Sequence, residues 1–473
     1  MSDSTTAHYP HLVWLRNDLR LDDNPALFKA SQAGKVQVVF ISTPEQWLMH
    51  NEPPAQLGLK ADILSGLAAR LAALGIPFCE LTADLFEDVP LVLSQFCREQ
   101  NINTVYFNSE TPWDESRRDK QVCMALKKIG INTKQCDVDL LVSDLLLNKQ
   151  GKPYKVFTPF YKAWQATLYE RYGHCHVEPY PVPEAQGVPL APPDCEPSWQ
   201  FAYRDDLWAS DEETIQGILC DFCENQLAQY HQTRDYPALD ATSALSPYFA
   251  IGALGPRRIL AQVQRVCPET WLEDDWLREL AWRDFYRQLL VHFPALNKGF
   301  AFKPETDQIE WQNDIQKFQL WCEGNTGFPI IDAAMRQLND TGWMHNRLRM
   351  LVASFLTKLL FIDWRWGEAH FMRTLIDGDF AANNGGWQWS ASTGCDASPY
   401  FRVFNPERQS REYDAKGGFI RQYVPELASL DNKSIHNPSA DQREKLNYPQ
   451  PILDYKTARQ FAIDAFVALK NKA

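Results

Sequence analysis

Long apolar segments are missing from this 473-residue sequence. No run reaches the roughly 18 apolar residues of a membrane-spanning helix, and the first residues, MSDSTTAHYPH, lack the charged-then-apolar pattern of a signal peptide. We therefore expect a cytoplasmic protein with no membrane partner. The eleven cysteines are an odd number scattered along a large chain, which predicts reduced thiols and argues against a disulfide framework.

Motifs for common ligands are also missing. Neither the dinucleotide fingerprint G-x-G-x-x-G nor the phosphate-binding loop G-x-x-x-x-G-K-[ST] occurs in the N-terminal part of the chain. Cys220 and Cys223 form a C-x-x-C pair, but no second pair follows, and the segment has a helical pattern. Structural zinc sites need four ligands, so we assign no metal.

Positive charge is scarce as well. The formal net charge is −13, which argues against a nucleic-acid partner because duplex binding depends on lysines and arginines that neutralise phosphates. Residues 230–421, however, contain 21 Lys and Arg against 23 Asp and Glu, so nearly all of the acidic excess lies elsewhere. A local basic face on this part of the chain is compatible with the composition.

The first 135 residues alternate short β-branched or aromatic runs with helix-like stretches. This rhythm predicts a doubly wound parallel α/β sheet. The predicted strands are His11–Leu15, Val36–Ile41 and Thr104–Phe107, and the predicted helices are Gly58–Leu74, Val89–Glu99 and Glu115–Ile129. Because the chain is too long for one core, we expect an α/β domain at 1–135, a long linker at 136–208 and an all-α domain at 209–473.

The linker prediction depends on proline. Seven prolines between Gly173 and Trp199 prevent regular helix and favour an extended connector. Beyond the linker the apolar periodicity is helical almost throughout. The predicted helices are Thr214–Gln232, Pro256–Val266, Trp276–Phe293, Ile330–Leu338, Trp343–Leu360 and Gly367–Leu375.

One predicted helix, Leu277–His292, has two contrasting faces at 100° per residue. The polar and aromatic face consists of Glu279, Trp282, Arg283 and Tyr286. The apolar face consists of Leu277, Leu280, Ala281 and Phe285. An acid, a flat ring and a guanidinium on one face indicate a binding surface, and a solvated Glu–Arg pair beside a half-exposed tryptophan is the plainer alternative.

Two further segments combine unusual residue types. Trp343–Met350 (WMHNRLRM) combines a thioether with amide and guanidinium donors, which could line a pocket for a planar ligand. The alternative is that Met350 belongs to the core and the two arginines lie at the surface. Asp377–Trp389 (DGDFAANNGGWQW) contains two carboxylates, two asparagines, three glycines and two tryptophans. We interpret this composition as excluding a core helix and favouring a glycine-rich turn close to a ligand, with a purely structural turn as the alternative.

Hydroxyl groups mark a fourth segment. Thr242–Ser246 (TSALS) follows Tyr230–Arg234 (YHQTR) and precedes a helical stretch. Hydroxyls and backbone amides ahead of a helix can hold a phosphate, although an ordinary helix cap is at least as common.

Together, in this order and spacing, these segments resemble the flavin-binding half of the DNA photolyase/cryptochrome family. The most specific part is Gly-Trp-Met-His-Asn-Arg followed by Asp-Gly-Asp-(x)3-Asn-Asn-Gly-Gly-Trp-Gln-Trp. Trp14–Arg20 and Asp22–Asn24 extend the resemblance into the N-terminal part, so that it covers most of the chain. Within the family, the sequence looks most like the bacterial cyclobutane pyrimidine dimer photolyases that carry a folate antenna.

The resemblance implies an FAD cofactor. The residues that match the segment holding the FAD phosphates are Tyr230, Thr242, Ser243, Leu245 and Ser246. The residues that match the surroundings of the ribityl chain and the isoalloxazine are Arg283, Asn346, Arg349, Asp377, Asp379 and Asn383. Among them, Asn383 matches the residue that faces flavin N5.

Catalytic and substrate residues are implied in the same way. Trp387, Trp364 and Trp311 match a chain of electron carriers from the flavin to the surface. The residues that match the walls of the dimer pocket are Glu279, Trp282, Met350 and Trp389, and those that match contacts to the lesion strand are Arg234, Arg347 and Arg402. The implied catalytic set is Glu279, Asn383 and the three electron-carrying tryptophans.

An antenna chromophore is implied as well. His50, Asn51, Glu115 and Lys298 match positions around a 5,10-methenyltetrahydrofolate, whereas Asp114 and Asn297 replace an amide and a thiol common in relatives. A pterin is favoured, and a different pigment or none is the alternative.

The implied function is light-driven electron transfer from reduced FAD that splits cyclobutane pyrimidine dimers in UV-damaged DNA, carried out by a monomer. A cryptochrome-like blue-light receptor is one alternative, against which Met350 and Asn383 favour repair. A (6-4) photolyase is another, but those enzymes place paired histidines in the pocket, and His345 is the only histidine of its motif. A flavoprotein that merely binds single-stranded nucleic acid is the third.

Overall fold

The protein is described by a computed structural model that covers residues 8–136, 140–192, 197 and 199–472. The chain forms two compact units. The first, the sheet unit, comprises Met1–Tyr154, Thr158–Asn225 and Ser243–His292; the second, the helical unit, comprises Lys155–Phe157, Gln226–Thr242 and Phe293–Ala473. The regions 1–135, 136–208 and 209–473 were inferred from sequence pattern and stay a prediction.

A five-stranded parallel sheet is the centre of the sheet unit. Its strands are β1 (His11–Leu15), β2 (Val36–Ser42), β3 (Phe78–Thr82), β4 (Thr104–Asn108) and β5 (Asn132–Cys136). They are ordered β3-β2-β1-β4-β5, so the chain reverses its direction of winding at β1. The predicted α/β fold class is confirmed, and the three predicted strands are found within one residue at each end.

The helices follow in chain order. Up to residue 292 they are α1 (Pro25–Ala33), α2 (Pro44–Met49), α3 (Pro54–Ala73), α4 (Val89–Glu99), α5 (Trp113–Lys128), α6 (Phe157–Tyr172), α7 (Glu212–Asn225), α8 (Tyr230–Thr233), α9 (Ser246–Ala250), α10 (Pro256–Val266) and α11 (Asp275–His292). Beyond it they are α12 (Ile315–Glu323), α13 (Pro329–Thr341), α14 (Asn346–Ser354), α15 (Trp364–Thr374), α16 (Phe380–Ala391), α17 (Pro406–Tyr413), α18 (Gly418–Tyr423), α19 (Ala440–Lys445) and α20 (Tyr455–Lys472).

Shorter helical turns connect these elements. The 3-10 helices are Leu227–Gln229, Trp271–Glu273, Pro294–Lys298, Pro304–Gln308, Pro425–Leu427 and Ser434–His436. A π-helical turn, Phe355–Leu359, continues α14. The helical C-terminal region is thereby confirmed.

The proline-rich connector has neither helix nor strand from Gly173 to Pro192, as predicted, while Pro193 lies outside the described residues. It is bound to the sheet unit along its length. The backbone of Asp23 donates to Tyr180 O at 2.7 Å, and the backbone of Val36 donates to Gln186 Oε1 at 2.7 Å. The connector therefore acts as a structural layer of this unit.

Helices α10 and α11 belong to the sheet unit because polar side chains tie them to it. Arg258 on α10 forms a two-point ion pair with Asp22, at 2.7 and 2.6 Å. On α11, Asp284 is buried and accepts hydrogen bonds from Trp164 Nε1 at 2.8 Å and from the backbone of Val142 at 3.1 Å. Such charge-assisted bonds are stronger than neutral ones, so they fix the orientation of α11.

Three predicted elements differ from the structure. The helix predicted at Thr214–Gln232 ends at Asn225 and continues as a 3-10 helix and α8. The helix predicted at Trp343–Leu360 begins only at Asn346, because His345 caps it by accepting a hydrogen bond at Nδ1 from the backbone of Arg347 at 3.2 Å. Burial lowers the pKa of His345 to about 4, which keeps this nitrogen unprotonated and able to accept.

The third difference is a wrong prediction. Asp377–Trp389 was expected not to form a core helix, yet Phe380–Ala391 is α16. Asp379 caps the helix by accepting a hydrogen bond from the backbone of Ala382 at 2.9 Å. The buried amide of Gln388 is paired, since its Oε1 accepts from the backbone of Phe302 at 2.8 Å. Tertiary partners thus satisfy the polar side chains that argued against a buried helix.

Candidate functional site

An ion pair between a partly exposed arginine and a buried aspartate connects α14 to the segment before α16. Arg349 donates from Nη2 to Asp377 Oδ2 at 2.7 Å and from Nε to the backbone oxygen of Met344 at 2.7 Å. The other carboxylate oxygen, Asp377 Oδ1, is buried and has no hydrogen-bond partner among the described residues. An unsatisfied buried acceptor costs about 1–3 kcal/mol. The pair therefore offers an oriented acceptor to a ligand that can donate a hydrogen bond.

Asn383 is held one turn further along, on α16. Its Nδ2 donates to the backbone oxygen of Glu368 at 2.9 Å. The next residue, Asn384, donates from Nδ2 to Glu368 Oε1 at 2.8 Å and accepts at Oδ1 from Gln388 Nε2 at 3.0 Å. Burial raises the pKa of Glu368 to about 7. The network fixes the nitrogen end of the Asn383 amide and leaves its oxygen as the end that can accept from a ligand.

The three tryptophans of the predicted electron chain belong to one aromatic core. Trp387 and Trp364 are 2% and 1% exposed, and the partly exposed Trp311 packs against the same core. Gly367 follows Trp364 by three residues on α15 and supports the Trp387 ring, because a Cβ at Gly367 would lie 2.1 Å from Trp387 Cη2. The series therefore runs from the interior towards the surface of the helical unit.

Two of the arginines predicted to contact DNA lie close together in the helical unit. Arg347 Nη2 forms an ion pair with Asp235 Oδ2 at 2.7 Å, and its guanidinium lies 4.5 Å from the ring centre of Tyr413. Arg234, the neighbour of Asp235, lies over Tyr230 at 5.7 Å. These cation–π contacts favour a fixed direction for both guanidinium groups.

The two predicted faces of α11 are confirmed. The residues of the apolar face, all buried, are Leu277, Leu280, Ala281 and Phe285. Those of the opposite face, all partly exposed, are Glu279, Trp282, Arg283 and Tyr286. Trp282 and Tyr286 have ring centres 5.6 Å apart, and Arg283 lies over Phe249 at 5.8 Å. The polar face is therefore a firm aromatic surface bearing an acid and a guanidinium.

The hydroxyl segment Thr242–Ser246 forms the turn ahead of α9, as predicted. Ala244 has a left-handed backbone with φ of 49°, a conformation that is strained for a residue with a side chain. The backbone of Leu245 donates to Ser243 Oγ at 3.5 Å, and the Leu245 side chain is buried. Strain of this kind is often found at ligand-binding turns.

The other predicted pocket residues differ in exposure. Met350 on α14 and Trp389 on α16 are partly buried, whereas Asn346 and Arg402 are exposed. Arg402 lies in the loop that follows α16, and the start of this loop is tied back where the backbone of Ser398 donates to Trp389 O at 3.1 Å.

Three of the four predicted antenna residues lie in the sheet unit, and two of them are in contact. His50 Nδ1 lies 3.7 Å from Glu115 Oε1, and His50 Nε2 lies 3.4 Å from Asp114 Oδ2. Burial raises the pKa of Glu115 to about 7, against the opposing effect of His50. Asn51 follows with a left-handed backbone, and Lys298 ends a 3-10 helix of the helical unit.

A second charged cluster, the strand-end cluster, lies where β1 and β4 end. It consists of Arg16, Glu110, Arg118 and Asp119. Arg16 Nη1 donates to Asp119 Oδ1 at 3.1 Å, and Arg118 bridges Glu110 and Asp119. Burial by itself raises the pKa of Glu110, but Arg118 and Arg16 lower it to about 2. The cluster is thus held together by its own charges.

Other site types are not represented in the ranges that the structure describes. There, no three His, Cys, Asp or Glu side chains are grouped so that they could hold a metal ion. None of the helices in these ranges has the length and apolarity to cross a bilayer. The ten cysteines that the structure describes are all free thiols.

Family models match both ends of this architecture. Residues 11–184 match the DNA photolyase model, and residues 276–468 match the model of the FAD binding domain of DNA photolyase. The chain therefore belongs to the DNA photolyase family and contains its FAD-binding domain.

Individual relatives extend over the whole chain. It is 45% identical to the deoxyribodipyrimidine photo-lyase of Vibrio cholerae, over 97% of this chain and 100% of that protein. It is 41% identical to the Escherichia coli deoxyribodipyrimidine photo-lyase, over 98% of this chain and 99% of that protein.

Solved structures agree with these relatives. A class III photolyase from Agrobacterium tumefaciens matches with a TM-score of 0.85 and 33% identity, over 99% of this chain and 100% of that one. A Synechocystis cryptochrome matches with a TM-score of 0.82 and 30% identity, over 97% and 100%. The recognised resemblance is confirmed.

The side chains fit the FAD that this domain binds. Among the described residues, Asp377 Oδ1 is a buried acceptor without a partner. The Asn383 amide is held through its nitrogen, which donates to Glu368, so this contact leaves the amide oxygen available to a ligand. An isoalloxazine carries ring N–H groups that such oxygens recognise, and the neighbouring Arg349 can balance negative charge. The individual residue roles stay predictions.

Sequence reasoning missed Glu368, Asn384 and Gln388, which orient Asn383. A signal for them was present, because a glycine inside a helical pattern indicates close packing and Gly367 precedes Glu368. Asp235 and Tyr413, which hold Arg347, gave no such signal, since their partner lies more than 60 residues away in sequence.

Proposed function

We propose that this protein is a light-driven repair enzyme that splits cyclobutane pyrimidine dimers in UV-damaged DNA. The whole-length relatives named deoxyribodipyrimidine photo-lyase support this proposal. The structural observation that supports it most is the polar face of α11. Glu279 and Trp282 form a partly exposed surface there, and the opposite face of the helix is apolar and buried.

Bound FAD, when reduced and excited by light, supplies the electron that opens the cyclobutane ring. The chain's own residues hold and tune it. Arg349, Asp377 and Asn383 bind the polar edge of the flavin ring, together with Arg283, Asn346 and Asp379. The phosphate end is assigned to Tyr230, Thr242, Ser243, Leu245 and Ser246.

The substrate contacts follow from the chemistry of the lesion. Glu279 hydrogen-bonds the pyrimidine edge, and in its protonated form it donates to that edge and stabilises the negative charge that develops there. Trp282, Met350 and Trp389 provide flat and polarizable walls that offset the unstacking of the extruded dimer, an extrusion that is less costly for damaged bases. Arg234, Arg347 and Arg402 bind the phosphates of the lesion strand.

Trp387, Trp364 and Trp311 conduct electrons that restore the reduced cofactor. His50, Asn51, Glu115 and Lys298 are assigned to a folate antenna, for which the His50–Glu115 contact is the structural support. We further propose that the enzyme acts as a monomer in the cytoplasm.

Three duplexes test the proposal: one with a cyclobutane thymine dimer, one with a (6-4) photoproduct and one undamaged. Each is incubated with flavin-loaded, chemically reduced protein in the dark or under blue light, and the bases are quantified by chromatography. We expect restoration of thymines only for the cyclobutane dimer and only in the light. Restoration of the (6-4) lesion instead would reassign the substrate.

A blue-light receptor related to cryptochromes is the second candidate, favoured by the similarity to the Synechocystis cryptochrome structure. The same assay separates the two candidates. A receptor is expected to change its flavin spectrum in blue light while leaving all three duplexes unaltered. A protein that binds damaged and undamaged single strands equally and repairs neither would instead be a general nucleic-acid binder.

A further inference from the structure

The loop between α16 and α17 ends in a tight turn, Pro399–Arg402, which we call the arginine turn. The backbone of Arg402 donates to Pro399 O at 2.9 Å, which closes the turn. Tyr400 stacks on Phe466 of α20, with ring centres 5.9 Å apart and an interplanar angle of 15°. Phe401 and Arg402, by contrast, are exposed. The turn is thus anchored on one side and presents an aromatic ring and a guanidinium on the other.

A buried lysine lies beneath this turn. Lys358 is 1% exposed, and its Nζ donates to Pro399 O at 3.4 Å and to Arg402 O at 3.1 Å. These carbonyls belong to the first and last residues of the arginine turn. One ammonium group therefore holds both ends of the four-residue turn.

The backbone around Lys358 is also unusual. Lys358 lies in the π-helical turn Phe355–Leu359, and Phe361 has a left-handed backbone with φ of 51°. Single π-helical turns occur frequently at functional sites. The start of the same loop has a second lysine contact, because Lys303 Nζ donates to Ser392 O at 3.2 Å.

Among the residues that the structure describes, no acid forms an ion pair with Lys358. Burial, Arg402 and Lys303 all act on it and lower its pKa to about 7. A buried amine of this kind costs folding free energy compared with an apolar side chain of the same length. Packing alone therefore does not explain a lysine at this position.

We propose that Lys358 is a positioning residue for DNA binding, which holds the arginine turn in the shape that presents Arg402 to the lesion strand. This inference rests on the proposed function, since it takes Arg402 as a DNA contact. Lys358 itself is enclosed and acts through the two backbone carbonyls. When Lys358 does not hold these carbonyls, the turn samples other conformations and Arg402 loses its fixed direction. DNA binding then costs free energy, because the turn has to be ordered first.

The test is a double-mutant cycle with Lys358→Met and Arg402→Ala, measured as affinity for a duplex that contains one cyclobutane dimer. Lys358→Met keeps an unbranched side chain, one heavy atom shorter than that of lysine, and removes the donors. We expect about tenfold weaker binding for Lys358→Met, a similar loss for Arg402→Ala, and no further loss in the double variant, because the first residue acts through the second.

The salt dependence gives a second readout that a general loss of stability does not produce. If one phosphate contact is lost, the slope of log affinity against log salt concentration falls by about 1. We expect this change in both single variants. The flavin content and the repair yield per bound duplex at saturating DNA should match those of the unmodified protein.

Lys60→Met is the matched control, because Lys60 is a buried lysine of the sheet unit, 3% exposed and paired with Glu52. It should leave DNA affinity unchanged. Lys358→Gln, which keeps an N–H donor, is the second variant if Lys358→Met does not fold. Its loss of DNA affinity should lie between that of the unmodified protein and that expected for Lys358→Met.

Unchanged affinity in the Lys358 variants, or losses that add in the double variant, would overturn the inference. Failure of the proposed function is recognised separately, since the unmodified protein would then not prefer the dimer-containing duplex.

Discussion

The protein contains two groups of paired charges that differ in how their acids are held. In the strand-end cluster, Arg118 bridges Glu110 and Asp119, and Arg16 also donates to Asp119 Oδ1, so two arginines hold two acids, while Asp119 Oδ2 is buried without a hydrogen-bond partner among the described residues. In the second cluster, Arg349 pairs with one oxygen of Asp377 and the other oxygen has no partner among the described residues.

Both groups leave one buried carboxylate oxygen open, and such an acceptor costs about 1–3 kcal/mol until something donates to it. The difference lies in the number of arginines that hold the acid, two at Asp119 and one at Asp377, and in the part of the chain to which each group belongs. The strand-end cluster holds together the segments that follow two strands of the sheet. Since the FAD-binding domain extends over residues 276–468, we interpret the second cluster as part of the flavin site.

The largest effect on stability is expected at the strand-end cluster. Glu110→Gln removes one of the two carboxylates that neutralise Arg118 and should lower the free energy of unfolding by about 3–5 kcal/mol. Thermal unfolding of the variant checks this loss, and its FAD-to-protein ratio should stay unchanged. A stable variant that loses FAD would reverse the roles that we assign to the two clusters.

This contribution also depends on pH. The pKa of Glu110 is lowered in the folded protein to about 2, so the stabilisation is complete above the unfolded value of 4.5 and is lost as the pH falls towards 2.

A smaller effect, on cofactor affinity, is expected at the second cluster. Asp377→Asn replaces one carboxylate oxygen by a donor and removes the charge that pairs with Arg349. We expect about ten- to hundredfold weaker FAD binding, equivalent to about 1.4–2.7 kcal/mol. Fluorescence titration of the apoprotein with FAD measures it, and Lys317→Met, on a partly exposed residue of α12, is the control. Undiminished affinity would show that the unpaired oxygen does not serve the flavin.

Glu368 sharpens the comparison because it is an acid held by an amide, that of Asn384, and it forms no ion pair among the described residues. Its pKa is raised by burial from 4.5 to about 7, so the folded state loses stability as the pH rises from about 4.5 through 7. Glu368→Gln should therefore be more stable than the unmodified protein by about 1–2 kcal/mol at pH 8, with the difference disappearing near pH 5. Melting temperatures across this range test the sign, and a variant that is less stable at pH 8 would contradict it.

The smallest change in binding is expected for Trp387→Phe. The substitution should leave FAD affinity within about twofold, yet slow the photoreduction of oxidised flavin, while repair by enzyme reduced beforehand continues. Trp321→Phe is the matched control, since Trp321 is a buried ring 6.1 Å from Trp387 and donates to Val352 O. Equal losses of photoreduction and repair in Trp387→Phe would rule out the relay role.

The sequence predicted those parts of the fold that have a strong period. The faces of α11 and the bounds of α4 are read directly from apolar spacing. Strands β3 and β5 were missed because Glu80, Lys134 and Gln135 interrupt their apolar pattern and both strands lie at the edges of the sheet. An edge strand needs only one neighbour, so its sequence is less constrained.

The candidate site shows a similar limit. Residues with a recognisable motif, such as Asn383 and the Arg349–Asp377 pair, were identified, whereas Glu368, which holds the Asn383 amide, was not. Asn384 and Glu368 form a hydrogen bond between two helices, and such a contact leaves no periodic signal in a single sequence. The same reason explains the wrong prediction at α16. Its polar residues favoured a turn because a single sequence does not show the tertiary partners that satisfy them.

A crystal structure of the protein loaded with FAD tests the central claim most directly. We predict a flavin N–H group within hydrogen-bond distance of Asp377 Oδ1, with Glu110, Arg118 and Asp119 still paired to one another. A flavin bound away from Asp377, or an Asp377 Oδ1 that accepts its hydrogen bond from the protein itself, would contradict the account.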